Sequence, residues 1–171
     1  KLTATYTYAN NPCFGNSLGS VDLTPTGGVF PYTYSWTGPS PFTSTSQDLS
    51  GLLTGGYALT MTDLNGCTYQ TNVNINQPDL LTASAIVVDS VSCAGGNDGS
   101  LNLTVAGGTL PYSYAWTGPA AYTSTTEDPS GLAAGTYNVT VTDDEGCTAA
   151  TSIVMPTIAD TTDPVISCLG N

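Results

Sequence analysis

The chain repeats itself with a fixed period of 80 residues. The segment 31–39, Pro-Tyr-Thr-Tyr-Ser-Trp-Thr-Gly-Pro, returns at 111–119 as Pro-Tyr-Ser-Tyr-Ala-Trp-Thr-Gly-Pro. The same spacing relates two pairs of cysteines, which are Cys13 with Cys93 and Cys67 with Cys147. Self-similarity at a fixed period is typical of modular arrays, which serve reach or multivalency more often than catalysis.

The repeat predicts two modules, residues 1–79 and 80–157, and the opening of a third in residues 158–171. A boundary near Gln77-Pro78-Asp79 is expected because proline cannot donate to a β-ladder and tends to end a strand. The third module is expected because Cys168-Leu-Gly-Asn resembles Cys13-Phe-Gly-Asn at the start of the first.

The hydrophobic pattern has period two, which indicates β-strands. Apolar and polar residues alternate at 2–8, 57–62 and 137–142, and Gly and Pro interrupt every long stretch. The segments 43–52 and 123–132, rich in Ser and Thr, are predicted to be loops. Short strands separated by frequent turns favour an all-β fold of two tandem sandwiches.

Charge excludes several classes of partner. The chain has one Lys, no Arg and no His against 13 carboxylates, so its net charge is −12. Phosphate recognition draws on Lys and Arg, so nucleic acid is excluded and anionic membrane surfaces are disfavoured. No run is long enough to span a bilayer, so direct membrane insertion is not expected. The hydroxyl-rich surface and the repeated cysteines indicate an oxidising, extracellular setting, and we expect a piece of a larger secreted protein.

The repeated cysteines predict one disulfide in each module. A module of this size buries only about 60% of its unfolded surface and often needs a covalent staple. Bridges from Cys13 to Cys67 and from Cys93 to Cys147 would tie the first strand to the last hairpin; the alternative is two free buried thiols. A loop of about 55 residues closed in this way would stabilise a module by roughly 4 kcal/mol. Cys168 remains unpaired or pairs with another molecule.

The aromatic strand of each module presents its rings on one face, because residues two apart share a face of a strand. These residues are Tyr32, Tyr34 and Trp36, and Tyr112, Tyr114 and Trp116. The first interpretation is core packing, since a buried Trp on the third strand is typical of immunoglobulin domains. The alternative is a platform on which sugar rings stack.

The carboxylates of module two leave calcium as a possible cofactor, and no other cofactor is expected. Asp98, Asp143 and Asp144 lie in turns, and turns often supply the oxygen ligands of calcium. The alternative is that these Asp residues only stabilise their turns, because an Asp side chain readily hydrogen-bonds the backbone of its own turn. No nucleophile and base pair is visible, so no catalytic residues are assigned and an enzyme is not expected.

The second module carries a longer set of motifs. They are Cys93, Gly95, Asp98-Gly99-Ser100, Gly107-Gly108-Thr109, Pro111-Tyr112, Tyr114, Trp116, Leu132, Gly135, Tyr137, Asp143 and Gly146-Cys147. In this set the chain resembles the SprB repeat, a tandem module of cell-surface adhesins in gliding bacteria of the Bacteroidota. Module one departs from that pattern at Leu18 and Gly56. The resemblance implies an immunoglobulin-like β-sandwich, export by the type IX secretion system and service in a long surface filament. Residues 160–168 also resemble the start of a HYR domain.

These observations predict a structural and adhesive repeat segment of a large extracellular adhesin, which acts as a stapled spacer or as a multivalent weak binder. The alternatives are a filament subunit that assembles by strand complementation and a carbohydrate-binding module of a polysaccharide-degrading protein. Expected partners are neighbouring modules of the same protein and a surface polysaccharide. Ser90 and Thr161 resemble acceptors of Bacteroidota O-glycosylation.

Overall fold

The computed structural model describes residues 1–39 and 41–157, and it divides the chain into two compact units, Lys1–Asp79 and a second that begins at Leu80. We call them module one and module two. The predicted third module at 158–171 lies outside the described residues.

Module one is a sandwich of two antiparallel sheets. Its strands are β1 (Thr3–Ala9), β2 (Gly19–Thr26), β3 (Thr33–Thr37), β4 (Thr43–Ser44), β5 (Leu49–Leu52), β6 (Gly55–Thr62) and β7 (Thr68–Ile75). One sheet has the order β1-β2-β5 and the other has the order β4-β3-β6-β7.

Module two repeats this topology. Its strands are β8 (Thr82–Asp89), β9 (Gly99–Ala106), β10 (Ser113–Thr117), β11 (Thr123–Ser124), β12 (Ser130–Leu132), β13 (Gly135–Thr142) and β14 (Thr148–Met155), with a single 3₁₀ turn at Pro119–Ala121. The sheets have the orders β8-β9-β12 and β11-β10-β13-β14. The predicted all-β, immunoglobulin-like fold is confirmed.

Alternation explains which residues form each core. On β6 the side chains of Tyr57, Leu59 and Met61 are buried, while their neighbours face outward. On β13 the buried positions are Tyr137, Val139 and Val141, which are the equivalents one period later. Successive residues of a strand point to opposite faces, so one apolar residue in every two fills the space between the sheets.

The segments 43–52 and 123–132 contain short strands, which the prediction of loops missed. In module one, β5 pairs with β2 through Gly19–Leu52 and Val21–Leu49 and goes no further. Beyond that point side chains, rather than a paired strand, bond the backbone of β2. The Leu23 amide donates to Asp48 Oδ1 at 2.9 Å, and Gln47 Nε2 donates to the Leu23 carbonyl at 2.6 Å. A local pattern does not reveal such pairing, because the partner strand is about 25 residues away.

The first prediction concerns the core. Trp116 is 1% exposed in module two, so we expect Trp116→Ala to destabilise that module by about 3–5 kcal/mol through lost burial and a cavity. Denaturant unfolding followed by circular dichroism measures the loss. The chain has two Trp residues, one in each module, so the fluorescence of Trp36 should show module one unchanged.

The exposed Thr117→Ala on the same strand is the matched control and should leave stability within about 0.5 kcal/mol of the parent. A loss at Trp116 no larger than that of the control would contradict the assigned core.

Candidate functional site

In module one the first strand, β1, and the last strand, β7, run in the same direction. Along β1 and β7, the Tyr69 hydroxyl donates to the Ala4 carbonyl at 3.3 Å, and the Tyr6 hydroxyl donates to the Asn72 carbonyl at 3.4 Å. We call the end at which β1 and β7 begin the amino end, and the end at which they finish the carboxyl end. The chain therefore enters each such module at one end and leaves at the other.

Module two has the same polarity. At its carboxyl end the Val91 amide donates to the Pro156 carbonyl at 3.1 Å, and Val91 forms a parallel bridge with Thr157. Both contacts bring the residue after β8 beside the residues after β14. The first and last strands of this module thus also run in the same direction.

The predicted Cys13–Cys67 disulfide is wrong. Cys67 has a free, exposed thiol, whereas Cys13 takes part in a disulfide. The reason is strand direction: Cys13 follows β1 at the carboxyl end, and Cys67 precedes β7 at the amino end. The eight residues of β7 separate the two positions by about 25 Å, and a disulfide needs Cα atoms within about 7 Å.

The predicted Cys93–Cys147 pairing is incompatible with the same geometry. Cys93 follows β8 at the carboxyl end of module two, and Cys147 precedes β14, a strand of eight residues, at the amino end. Both residues are nevertheless disulfide-bonded. Cys168 lies outside the described residues.

A buried carboxylate organises the amino end of module one. Asp63 is 6% exposed and sits at the end of β6. Its Oδ1 accepts the amides of Asn65 at 3.0 Å and Cys67 at 2.8 Å, and its Oδ2 accepts the amide of Val29 at 3.1 Å. Asp63 thus closes the β6–β7 turn and ties it to the loop after β2.

Asp143 does the same in module two. Its Oδ1 accepts the amides of Glu145 at 3.1 Å and Cys147 at 2.8 Å, and its Oδ2 accepts the amide of Thr109 at 2.9 Å. Turn chemistry was one of the two interpretations of this residue, and the geometry favours it. Sequence reasoning missed the long-range bond to Thr109, for which no local signal exists.

The carboxylates considered for calcium do not form one site. Asp98 lies at the carboxyl end, where its Oδ1 accepts the Ser92 amide at 3.0 Å, while Asp143 and Asp144 lie at the amino end. Within residues 1–39 and 41–157, no group of three His, Cys, Asp or Glu side chains is placed to hold a metal ion. Calcium binding by this chain stays a prediction.

Hydrogen bonds explain the ionisation of Asp63. Burial is the largest single influence on its pKa and acts to raise it, but the amides of Cys67, Val29 and Asn65 together stabilise the charged form. The net pKa lies below the ordinary value. The folded module therefore favours the carboxylate over the carboxylic acid.

The aromatic strand lies largely inside. Trp36 and Trp116 are each 1% exposed, and their indole N–H groups donate to the carbonyls of Ser46 and Thr126 at 3.0 Å. The tyrosines Tyr32, Tyr34, Tyr112 and Tyr114 are half-buried and pack against the cores. The tryptophans are therefore unavailable as a platform for sugar rings.

The half-buried tyrosines fix the strand to its surroundings. The hydroxyl of Tyr32 donates to the Gly27 carbonyl at 2.7 Å, and the hydroxyl of Tyr34 donates to Gln47 Oε1 at 3.0 Å. Burial, followed by the charge of Asp48, raises the pKa of Tyr34 and keeps its hydroxyl protonated as a donor.

Sequence reasoning missed the role of a further tyrosine in each module, Tyr57 and Tyr137. The hydroxyl of Tyr57 donates to the Leu53 carbonyl, and that of Tyr137 donates to the Ala133 carbonyl, both at 3.0 Å and four residues back. A tyrosine that bonds upstream backbone across the corner between sheets is typical of immunoglobulin-like domains. The spacing Leu-x-x-Gly-x-Tyr, present in both modules, was the available signal.

Of the two positions predicted for O-glycosylation, one lies among the described residues. Ser90 follows β8 and is partly buried, while Thr161 lies outside the described residues.

In the part of the chain that the structure describes, no helix has the length and apolarity needed to cross a bilayer.

Comparison with known proteins agrees with the repeat and the fold. The family model of the SprB repeat matches residues 5–41 and again residues 85–121. The SprB repeat model thus matches one segment in each module. The matched segments run from the first strand through the aromatic strand of each module.

The chain is also similar to solved structures of low sequence identity. The three N-terminal domains of the outer capsid protein Hoc of bacteriophage RB49 match with a TM-score of 0.52 and 18% identity over 92% of this chain and 59% of that one. A C-terminal fragment of intimin, solved with the intimin-binding domain of its receptor, matches with a TM-score of 0.48 and 16% identity over 91% of this chain and 64% of that one. The chain thus spans less than two thirds of either. No curated protein matches it.

The second prediction concerns acid stability. Because the folded pKa of Asp63 is depressed, its carboxylate contributes stability above the ordinary value of about 3.9. That contribution is lost as the pH falls through the folded pKa. We expect Asp63→Asn to lower the unfolding midpoint of module one at neutral pH and to flatten its decline between about pH 5 and pH 2.

Trp36 fluorescence in a Trp116→Phe background measures module one alone. Asp22→Asn, an exposed position on β2, is the control and should retain the parental acid profile. An equally steep acid decline in the Asp63→Asn variant would refute the role assigned to this carboxylate.

Proposed function

We propose that this chain is a spacer and adhesive repeat segment of a large extracellular surface adhesin. The observation that carries the proposal is the polarity of each module: the first and last strands run in the same direction, so entry and exit lie at opposite ends. A module built in this way adds its own length to an array. A module whose termini met at one end would add width instead.

The length that each module contributes follows from its strands. Strands of eight residues rise by about 3.3 Å per residue and span about 26 Å, to which the end loops add. Each further copy would extend the array by about 30–40 Å. Only six residues separate β7 from β8, so little of the array would be flexible linker.

Surface chemistry supports an extracellular role. A net charge of −12 with a single Lys keeps modules apart and soluble, and it leaves no basic patch for nucleic acid or anionic lipid. In our proposal the setting is the surface of a gliding bacterium that exports the adhesin by type IX secretion. The partners would be neighbouring modules and a surface polysaccharide, which many copies would bind weakly and together.

The carbohydrate-binding alternative is weaker because its stacking platform is buried in both modules. Among the described aromatic side chains, Phe30 at 78%, Tyr8 at 53% and Phe14 at 51% are the large exposed ones, and all three belong to module one. Module two has Leu110, Val88 and Ala94 at those positions. A sugar site shared by both repeats is therefore not supported.

The third prediction tests the spacer function. A chain in which residues 1–157 are duplicated should appear in electron micrographs as a rod about twice as long as the parent, with a gain of about 30–40 Å for each module. The width should stay constant. A matched chain, in which residues 76–81 are replaced by a Gly-Ser segment of equal length, should give a broader distribution of end-to-end distances. Particles that grow in width rather than in length would contradict the proposal.

A further inference from the structure

A row of side-chain amides runs along the outer face of module one. Gln70, Asn72 and Asn74 lie at alternate positions of β7 and are exposed, whereas Val73 and Ile75 are buried. Residues two apart on a strand share a face and lie about 7 Å from each other. These amides, which we call the amide row, therefore cover about 14 Å of one sheet face.

A shallow groove lies beside the amide row, because the facing residues of β6 are small. Asn74 is paired with Gly56, which is exposed. Asn72 is paired with Ala58, which is also exposed. A Cβ at Gly56 would lie 3.2 Å from Asn74 Oδ1, so the glycine lets this amide lie over the neighbouring strand. The groove has a volume of about 240 Å³, and the residues that line it are Ala58, Leu59, Thr60, Gln70, Thr71 and Asn72.

Hydroxyl groups form the other side of the groove. On β3, the exposed Thr37 is paired with Ala58, and the exposed Ser35 is paired with Thr60. Across the groove, Gln70 Nε2 donates to Thr60 Oγ1 at 3.2 Å and so holds one end of the amide row in place. A primary amide has two N–H donors and a carbonyl acceptor, and a hydroxyl both donates and accepts. Both sides of the groove can therefore donate to a ligand and accept from it.

The groove is polar and carries no charge. None of the outward-facing residues of β3, β6 and β7 has an ionisable side chain. The net charge of −12 on the whole chain repels acidic polymers. Protein partners usually place a large apolar or aromatic anchor at the centre of an interface, and the residues that line this groove provide none. These properties fit an uncharged, hydroxyl-rich polymer.

The equivalent face of module two has a different composition. Ala150, Ser152 and Val154 stand on β14 where module one has the amide row. On β13, Thr136 and Asn138 replace the two small residues beside it. Both modules have the same strands in the same order, so the fold does not require the amides or the small residues.

We propose that the groove beside the amide row of module one binds an uncharged polysaccharide. This inference rests on the proposed adhesive function and names the face that contacts the polysaccharide. Sugar hydroxyls would hydrogen-bond the amides of Asn72 and Asn74 and the hydroxyl of Thr37, while the C–H groups of the sugar would lie on Ala58. Because the groove is shallow and offers no aromatic ring for stacking, one module binds weakly and several copies bind together.

Affinity electrophoresis of the whole chain tests the proposal. Native gels would contain an α-glucan (dextran), a β-glucan (laminarin), a galactomannan or, as the acidic control, alginate. We expect at least one of the neutral polysaccharides to retard the chain and alginate to leave its mobility unchanged. Failure of every neutral polysaccharide to retard the chain, or retardation by alginate alone, would overturn the proposal.

Substitutions locate the site. Asn72→Ala and Asn74→Ala should each weaken binding by about 3–10-fold, since each removes hydrogen bonds to the ligand. Ala58→Asn, which introduces the residue that module two has at this position, should weaken binding at least as much because it fills the groove. The matched control is Ser152→Ala with Val154→Ala on the equivalent face of module two, and its binding should equal that of the parent.

The fluorescence of Trp36 checks that module one is folded in each variant. Binding that survives the substitutions at Asn72, Asn74 and Ala58 would place the polysaccharide on another surface and overturn this site. A chain that binds no neutral polysaccharide but still lengthens on duplication would refute the site and leave the spacer function standing. A chain that binds through the groove but does not lengthen would refute the spacer function alone.

Discussion

In each module the first and last strands run side by side in the same direction, and the other features of the chain follow from this constraint. Hydrogen bonds from Tyr6 and Tyr69 join β1 to β7, and the bond from Val91 to Pro156 does so beyond β8 and β14. Because the sheets are otherwise antiparallel, this pairing places the two termini of a module at opposite ends. It gives the module a direction, separates its two cysteines and lets copies join in series.

The strands and the core could be predicted because their signal is local. Alternation at Tyr57, Leu59 and Met61 is visible in six residues, and the buried Trp follows from the aromatic strand. The disulfide partners could not be predicted, because they depend on which way the first strand runs relative to the last. The same cysteines fit a staple within a module if those strands are antiparallel and fit no such staple if they are parallel. Nothing in the spacing of Cys13 and Cys67 decides between these arrangements.

The buried carboxylates were also predictable only where their partners are close in sequence. An Asp before a Gly-containing turn predicts turn chemistry, and Asp63 and Asp143 do accept amides within their own hairpins. Their second oxygens accept amides 34 residues away, which is a property of the fold. Each carboxylate thus accepts three backbone amides and holds the amino end of its module in shape.

The two modules also show which interactions the fold requires and which it can exchange. The Asp in the hairpin turn, the Trp on the third strand and the corner Tyr recur, and each bonds the backbone at an equivalent position in both modules. At the carboxyl end the chemistry differs: buried Asn11 donates to Leu52 and accepts two amides, while its equivalent is the buried apolar Val91. A buried amide needs every partner in place, whereas an apolar side chain needs only a matching volume. The ends can therefore vary between copies while strand direction is retained, and an array can change its surfaces without losing its length.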